Sequence, residues 1–316
     1  MTIARAALEA VDPRAIVARC LRVEGGSVRV HAAGAARDFD LSRFQKIFVL
    51  GFGKADGPMA QATENALGSR VTEGLVVVKP GQEARLQRIR QVCGGHPVLD
   101  ENSVRAATMM ADLADDQTLV ITLISGGGSS LLAAPVSAGI TLADIQETTR
   151  QLLACGAEIA EINCIRKHIL LLAGGRLARH IAPATPAGIV LSNVVGDDLP
   201  TVAAGPTSPD ATTYVQTLTI IDFYGIRAAL AKPVLEHLRA GAEGMILETS
   251  KPGATELSFC FNVLAGTNLL TPEAAAAAGK RLGYDSLILT SHLAGEAREA
   301  ARVPHSASPG RGPRAC

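Results

Sequence analysis

Two glycine-rich junctions in this chain carry residue types suited to holding an anion. In 49-VLGFGKADGPM-59, Gly51 and Gly53 permit close backbone approach and Lys54 follows where a helix should begin, so a cation and free N–H groups would face one ligand. In 124-ISGGGSS-130, Ser125 ends an apolar run, Gly126, Gly127 and Gly128 supply unobstructed amides, and Ser129 and Ser130 add hydroxyls. A phosphate or a carboxylate suits such a nest. Neither stretch matches the P-loop pattern, and Gly51, Gly53 and Gly57 form a dinucleotide fingerprint with one residue too many. The bland alternatives are a glycine turn with an exposed lysine and a purely structural turn.

Further candidates lie downstream. A helix predicted over 157–181 places Asn163, Arg166 and Lys167 at i, i+3 and i+4, hence on one face, where an amide and two cations suit an anionic substrate or are simply solvated. After an apolar strand, 191-LSNVVGDDLPTVAAGPTSPD-210 presents Asp197 and Asp198 where Mg²⁺ could be held together with substrate phosphates, and Thr207 adds a hydroxyl. An acidic pair in a loop is also ordinary surface. His96, between Gly94-Gly95 and Pro97, sits in a fixed loop, either touching substrate or satisfied locally; the other histidines show no metal-ligand spacing.

The elements that must position these residues alternate along the chain. Strands are expected over 46–53, 74–79, 118–125, 187–194, 257–266 and 285–291, with helices near 12–22, 55–67, 101–114, 141–154, 157–181, 211–223, 228–240 and 271–282. Asp12-Pro13, Thr141 with Asp144, and Thr271-Pro272 mark helix starts, and Gly283 marks a stop. The fold class is α/β: a Rossmann-like, mostly parallel sheet with helices on both faces, whose ligands sit beyond the carboxyl ends of the strands.

Composition narrows the partner. The 316 residues are 47% hydrophobic, and 30 basic against 30 acidic residues give no net charge, so no global field draws the chain to nucleic acid or to an anionic membrane. A small molecule is the expected ligand. The six cysteines form no C-x-x-C pair, the N-terminus lacks a signal-peptide pattern, and no apolar run approaches the roughly 18 residues of a membrane span, which together predict a cytoplasmic protein.

Taken together, GFGKA, GGHPV, LISGGGSSLL, INCIRKH, GGRLA, LSNVVGDDLPTVAAGPTSPD and LAGEAREA occur in an order that resembles the type-II glycerate kinases, over roughly residues 1–303. That resemblance implies a Rossmann-like N-terminal domain, a smaller C-terminal domain called MOFRL, and transfer of the ATP γ-phosphoryl to D-glycerate with Mg²⁺, giving 2-phosphoglycerate. It puts Lys54, Arg166 and Asp197 in catalytic roles. Phosphate or substrate binding falls on Gly53, Ser125, Gly126, Gly127, Gly128, Ser129, Ser130, Asn163, Lys167 and Thr207, and metal binding on Asp197 and Asp198. Two departures stand out: Asn193 occupies a position where the family pattern reads Asp, and MOFRL motifs are not found after about Val303. Residues 304–316 read as a disordered or aberrant tail, so a family fold with impaired or absent catalysis is expected. An uncovered cleft face would also favour self-association into a homo-oligomer. The alternatives are an NAD(P)H-dependent hydroxypyruvate reductase, disfavoured because Lys79 ends the second strand where an NAD enzyme wants an acid, and a non-catalytic nucleotide-binding remnant.

Overall fold

A computed structural model describes residues 2–111, 115–293 and 298. After two short helices, Ile3–Ala10 and Pro13–Cys20, the chain forms a three-stranded antiparallel meander, β1 (Leu21–Glu24), β2 (Ser27–Ala32) and β3 (Ala35–Asp40). Six further strands follow: β4 (Lys46–Phe52), β5 (Glu73–Val78), β6 (Ile89–Cys93), β7 (Thr118–Ser125), β8 (Thr185–Leu191) and β9 (Phe261–Gly266). They build one sheet in the order β6-β5-β4-β7-β8-β9, every pair parallel. Counted within that sheet, the order is 3-2-1-4-5-6, the doubly wound arrangement whose strand order reverses between its first and fourth members. That reversal lies between β4 and β7, the two strands that end in the glycine junctions.

Both faces of the central strands are apolar because both are covered. Ile47 and Val49 of β4 and Leu119, Ile121 and Leu123 of β7 pack with Val17 and Met59 of the helices Pro13–Cys20 and Asp56–Leu67, and with Val28 and Val30 of the meander. Leu50 and Phe52 of β4 and Val120 and Ile124 of β7 face the opposite way, toward Ala107 and Met110 of helix Glu101–Ala111 and Leu177 of helix Arg176–Ile181. A third core joins helices Leu142–Ala154, Ile159–Ile169, Tyr214–Phe223 and Lys232–Ala242, with Tyr214 fully enclosed. The expected α/β class and the helices on both faces are therefore found.

Four expectations need correction. The helix predicted over 157–181 is two, Ile159–Ile169 and Arg176–Ile181. Gly174 and Gly175 take positive φ (59° and 77°) between them, and their N–H groups donate to the carbonyls of Ala204 and Gly205 at 2.9 and 2.7 Å. A side chain at either would press on Thr249 or Ser250, so the glycine pair is a docking point between backbones. The strand predicted over 257–266 is shortened by a 3-10 turn, Thr255–Phe259. No strand forms over 285–291, where Leu287 and Leu289 are exposed. The meander and β6 have no counterpart in the expected strands, because Arg22, Arg29, Arg37 and Arg90 break up the continuous apolar runs that mark the covered strands and instead point to water. Most of the LAGEAREA motif, the tail 304–316 and the end of the helix predicted to reach 114 lie outside the described residues. Among the described residues, no helix is long and apolar enough to cross a membrane.

Candidate active site

The two glycine junctions are joined to each other. β4 ends at Phe52, and the chain turns through Gly53 and Lys54 into helix Asp56–Leu67. The Lys54 N–H donates to the Gly126 carbonyl at 3.0 Å, and the Ala55 N–H donates to Ser125 Oγ at 3.1 Å. Only a glycine permits this approach, since a Cβ at Gly53 would collide with Ser125 Oγ. The loop beyond β7 is walled in the same way. A Cβ at Gly127, whose φ is 88°, would lie 2.8 Å from His96 Nε2 and 3.2 Å from Lys54 Cγ, and one at Gly128 would lie 2.7 Å from the Phe52 carbonyl. One at Gly126 would strike the Asn193 side chain. Lys54, His96 and Asn193 thus surround one short stretch of backbone.

A cleft of about 450 Å³ opens beside this stretch, lined by Gly127, Ser129, Asn163, Arg166, Asn193 and Thr201 among others. Arg166 reaches it from helix Ile159–Ile169. One of its terminal amino groups donates to the Ser129 carbonyl at 2.6 Å, while its buried Nε has no partner. Burial pulls the guanidinium pKa down to about 10, which still leaves it charged at neutral pH. A hollow of similar size, lined by Ile3, Pro272, Leu287 and Leu289, is mostly apolar and lies away from the strand ends.

The structure separates several residues that the sequence grouped. Asn163 and Arg166 share the cleft, but Lys167, one residue on, points elsewhere and pairs with buried Asp210 at 3.2 Å. Burial works against the Asp210 charge, yet Lys167 and hydrogen bonds from Thr212 and Thr249 hold its pKa below the ordinary range. Thr207 is also engaged away from the cleft: its hydroxyl donates to Asn262 Oδ1 at 3.1 Å, and the Asn262 amide donates back to the Thr207 carbonyl at 2.9 Å. Ser125 lies behind the loop rather than facing the cleft, 1% exposed and bonded to Ala55 and Asp56. Ser130 is nearly buried, its N–H donating to the Gly127 carbonyl at 3.1 Å.

The acidic loop carries one orphaned carboxylate oxygen. Asp197 has a positive φ of 54° and a buried Oδ1 without a partner; Asp198 accepts from the Thr201 hydroxyl at 2.6 Å. No group of three acidic, histidine or cysteine side chains able to hold a metal exists among the described residues. One or two carboxylates with phosphate oxygens and waters is nevertheless the ligand set Mg²⁺ normally takes, and the orphaned Asp197 oxygen fits it.

Two neighbouring groups complete the electrostatics. His96 is held below its ordinary pKa by partial burial and by Lys54 and Lys79 beside it, so the ring is neutral. Asp56 is fully buried at the start of its helix, its Oδ1 bonded to the Ser125 hydroxyl and its Oδ2 unpartnered, and burial pushes its carboxyl up to about 7. Sequence reasoning missed Asp56, since an acid in the first turn of a helix is ordinary; only its enclosure marks it.

Residues 1–239 match the family model described as a domain of unknown function, DUF4147. The chain belongs to the DUF4147 family. Similar curated proteins include glycerate 2-kinase of Pyrococcus horikoshii, 36% identical over 93% of this chain and 64% of its own length, and human glycerate kinase, 33% identical over 94% and 58%. Among solved structures, a Pyrococcus horikoshii protein superposes with a TM-score of 0.82 at 35% identity, and Thermotoga maritima glycerate kinase with 0.78 at 31%; each match covers 96% of this chain and 67% of the other. The motif resemblance to glycerate kinases is borne out. The chain spans 58–64% of the length of these curated relatives.

Proposed function

We propose that this chain carries the phosphate and substrate cleft of a glycerate kinase, transferring the γ-phosphoryl of ATP to D-glycerate to give 2-phosphoglycerate. The observation that carries this reading is the junction of β4 and β7, where Gly127, Ser129 and the partly unpartnered guanidinium of Arg166 line one cleft and Lys54 stands beside Gly127. Phosphoryl transfer is governed by positioning and charge neutralisation, and two cations with a glycine-walled backbone supply both. Lys54 and the loop take phosphate oxygens. Arg166, Asn163 and Asn193 take the carboxylate and hydroxyls of glycerate, the guanidinium matching a carboxylate through parallel N–H groups. His96, kept neutral, adds a hydrogen-bond acceptor beside the loop. Asp197, with Asp198, would hold Mg²⁺, which when bound offsets negative charge on the transferring group.

Phosphorus NMR of ATP, Mg²⁺ and D-glycerate with the protein tests this reading. The expected result is ADP together with a new phosphomonoester, both lost in Lys54→Ala. ATP and glycerate that bind in calorimetry without forming an ester would reduce the chain to a binding protein. One relative, 38% identical over 81% of this chain, is named putative hydroxypyruvate reductase. NADPH oxidation with hydroxypyruvate would move the assignment there, although Lys79 after β5 offers no acid for ribose hydroxyls.

A further inference from the structure

Among the described residues, Asp56 is the one fully buried carboxylate at the sheet's switch point, and no cation pairs with it. Its Oδ1 accepts from the Ser125 hydroxyl, the backbone of Phe52 also favours the charged form, and its Oδ2 has no hydrogen-bond partner. The charged groups on the surrounding elements are turned elsewhere. On helix Pro13–Cys20, Arg14 donates to Gln61; on β1, Arg22 and Glu24 are exposed; Lys46, at the far end of β4, pairs with Asp115. Glu73 of β5 and Arg90 of β6 are exposed, Glu83 accepts from Cys93, and Lys54 and Lys79 lie beside His96. On the helix of Asp56 itself, Glu64 accepts from the backbone of residues 87–89.

Ser125 links this carboxylate to the glycine loop. Its hydroxyl donates to Asp56 and accepts from the Ala55 N–H, and it is the last residue before Gly126. An anion brought to the amides of Gly126–Gly128 therefore sets a second negative charge close to a buried, unpaired carboxylate, with little water between them to screen it. Repulsion in such a medium is relieved most cheaply by a proton on the free Oδ2, which neutralises Asp56 without breaking its bond to Ser125.

We propose that Asp56 is a positioning residue that takes up a proton when an anion occupies the glycine loop, holding Ser125 and the Lys54 junction in register through the exchange. This rests on the anion-binding reading of the loop and adds a proton to its stoichiometry. The proton comes from solvent, and no other bond is made or broken.

Calorimetry with inorganic phosphate at pH 7.5, in buffers of different ionisation enthalpy, counts the protons. The wild type should take up roughly 0.5–0.8 proton more per phosphate bound than Asp56→Asn, given a carboxyl that titrates near 7 and a second ionisation of phosphate that is common to both proteins. Asp56→Asn, which has the shape of the neutral acid, should still bind phosphate, with only the exchange due to phosphate itself remaining. Equal uptake in both proteins would assign the proton to another group and overturn the proposal, while leaving the anion site intact. Phosphate that binds neither protein would overturn the anion site and the proposal together. Carboxyl carbon NMR on the wild type needs no variant: the high-titrating aspartate should move to higher pH when phosphate is added, and an unmoved midpoint sinks the idea even if Asp56→Asn fails to fold.

Discussion

The backbone N–H of Lys54 donates to the carbonyl of Gly126 at 3.0 Å, tying two junctions 72 positions apart into one piece of backbone. The link holds because β4 and β7 are adjacent parallel strands in register from Lys46 with Thr118 to Phe52 with Ile124, so both chains leave the sheet at the same edge. The lysine is thereby placed by the sheet rather than by its own flexible stem.

Lys54→Ala should abolish most phosphoryl transfer while leaving the fold intact. The side chain is exposed and its backbone bond survives the change. Loss of one positioned cation is expected to lower kcat by about 10²–10³, with unchanged circular dichroism and melting temperature. A variant that keeps near wild-type kcat would remove Lys54 from the mechanism.

Arg166→Lys should spare stability more than ligand affinity. The shorter ammonium can still approach the Ser129 carbonyl but loses the fork that leaves Nε free for a carboxylate. KM for glycerate should rise about 10-fold or more, equivalent to roughly 1–3 kcal/mol for a charged hydrogen bond. Steady-state kinetics at fixed ATP checks it; an unchanged KM would mean that Arg166 serves the loop alone.

Lys167→Met should do the reverse. Removing the partner of Asp210 leaves a buried charge uncompensated, at a cost on the order of 3–5 kcal/mol. Chemical denaturation should show that loss, while the folded protein keeps its phosphate affinity. A large drop in affinity with little loss of stability would return Lys167 to the site.

Asp56→Asn should change how stability depends on pH. The Asp56 carboxyl titrates near 7 in the folded chain and near 3.9 in an unfolded one. Its contribution is therefore complete below about pH 4 and is lost as pH rises toward 7. The asparagine variant avoids that loss and should exceed the wild type above pH 7 by up to roughly 4 kcal/mol, with the gap narrowing toward pH 5. Parallel difference curves across pH 5–8 would show that Asp56 does not titrate in this range.

The sequence by itself determined the layers and the existence of the two glycine loops. Uninterrupted apolar runs such as 118-TLVITL-123 can be satisfied only in a strand covered on both faces, and three glycines after such a run free the backbone for close approach. The order of motifs also carried the family. Local patterns could not show which loops meet, because that depends on strand order: β7 inserts beside β4 only after β5 and β6 have extended the other edge. The same limit separates Arg166 from Lys167, adjacent residues whose directions are fixed by what packs around their helix. It also explains Asp56, an ordinary helix-start acid in the sequence that becomes a buried, unpaired carboxyl once Ser125 closes over it. Local spacing sets secondary structure and candidate chemistry, whereas burial and partnership arise from contacts distant in the chain, so the tertiary structure alone decided which candidates share the cleft.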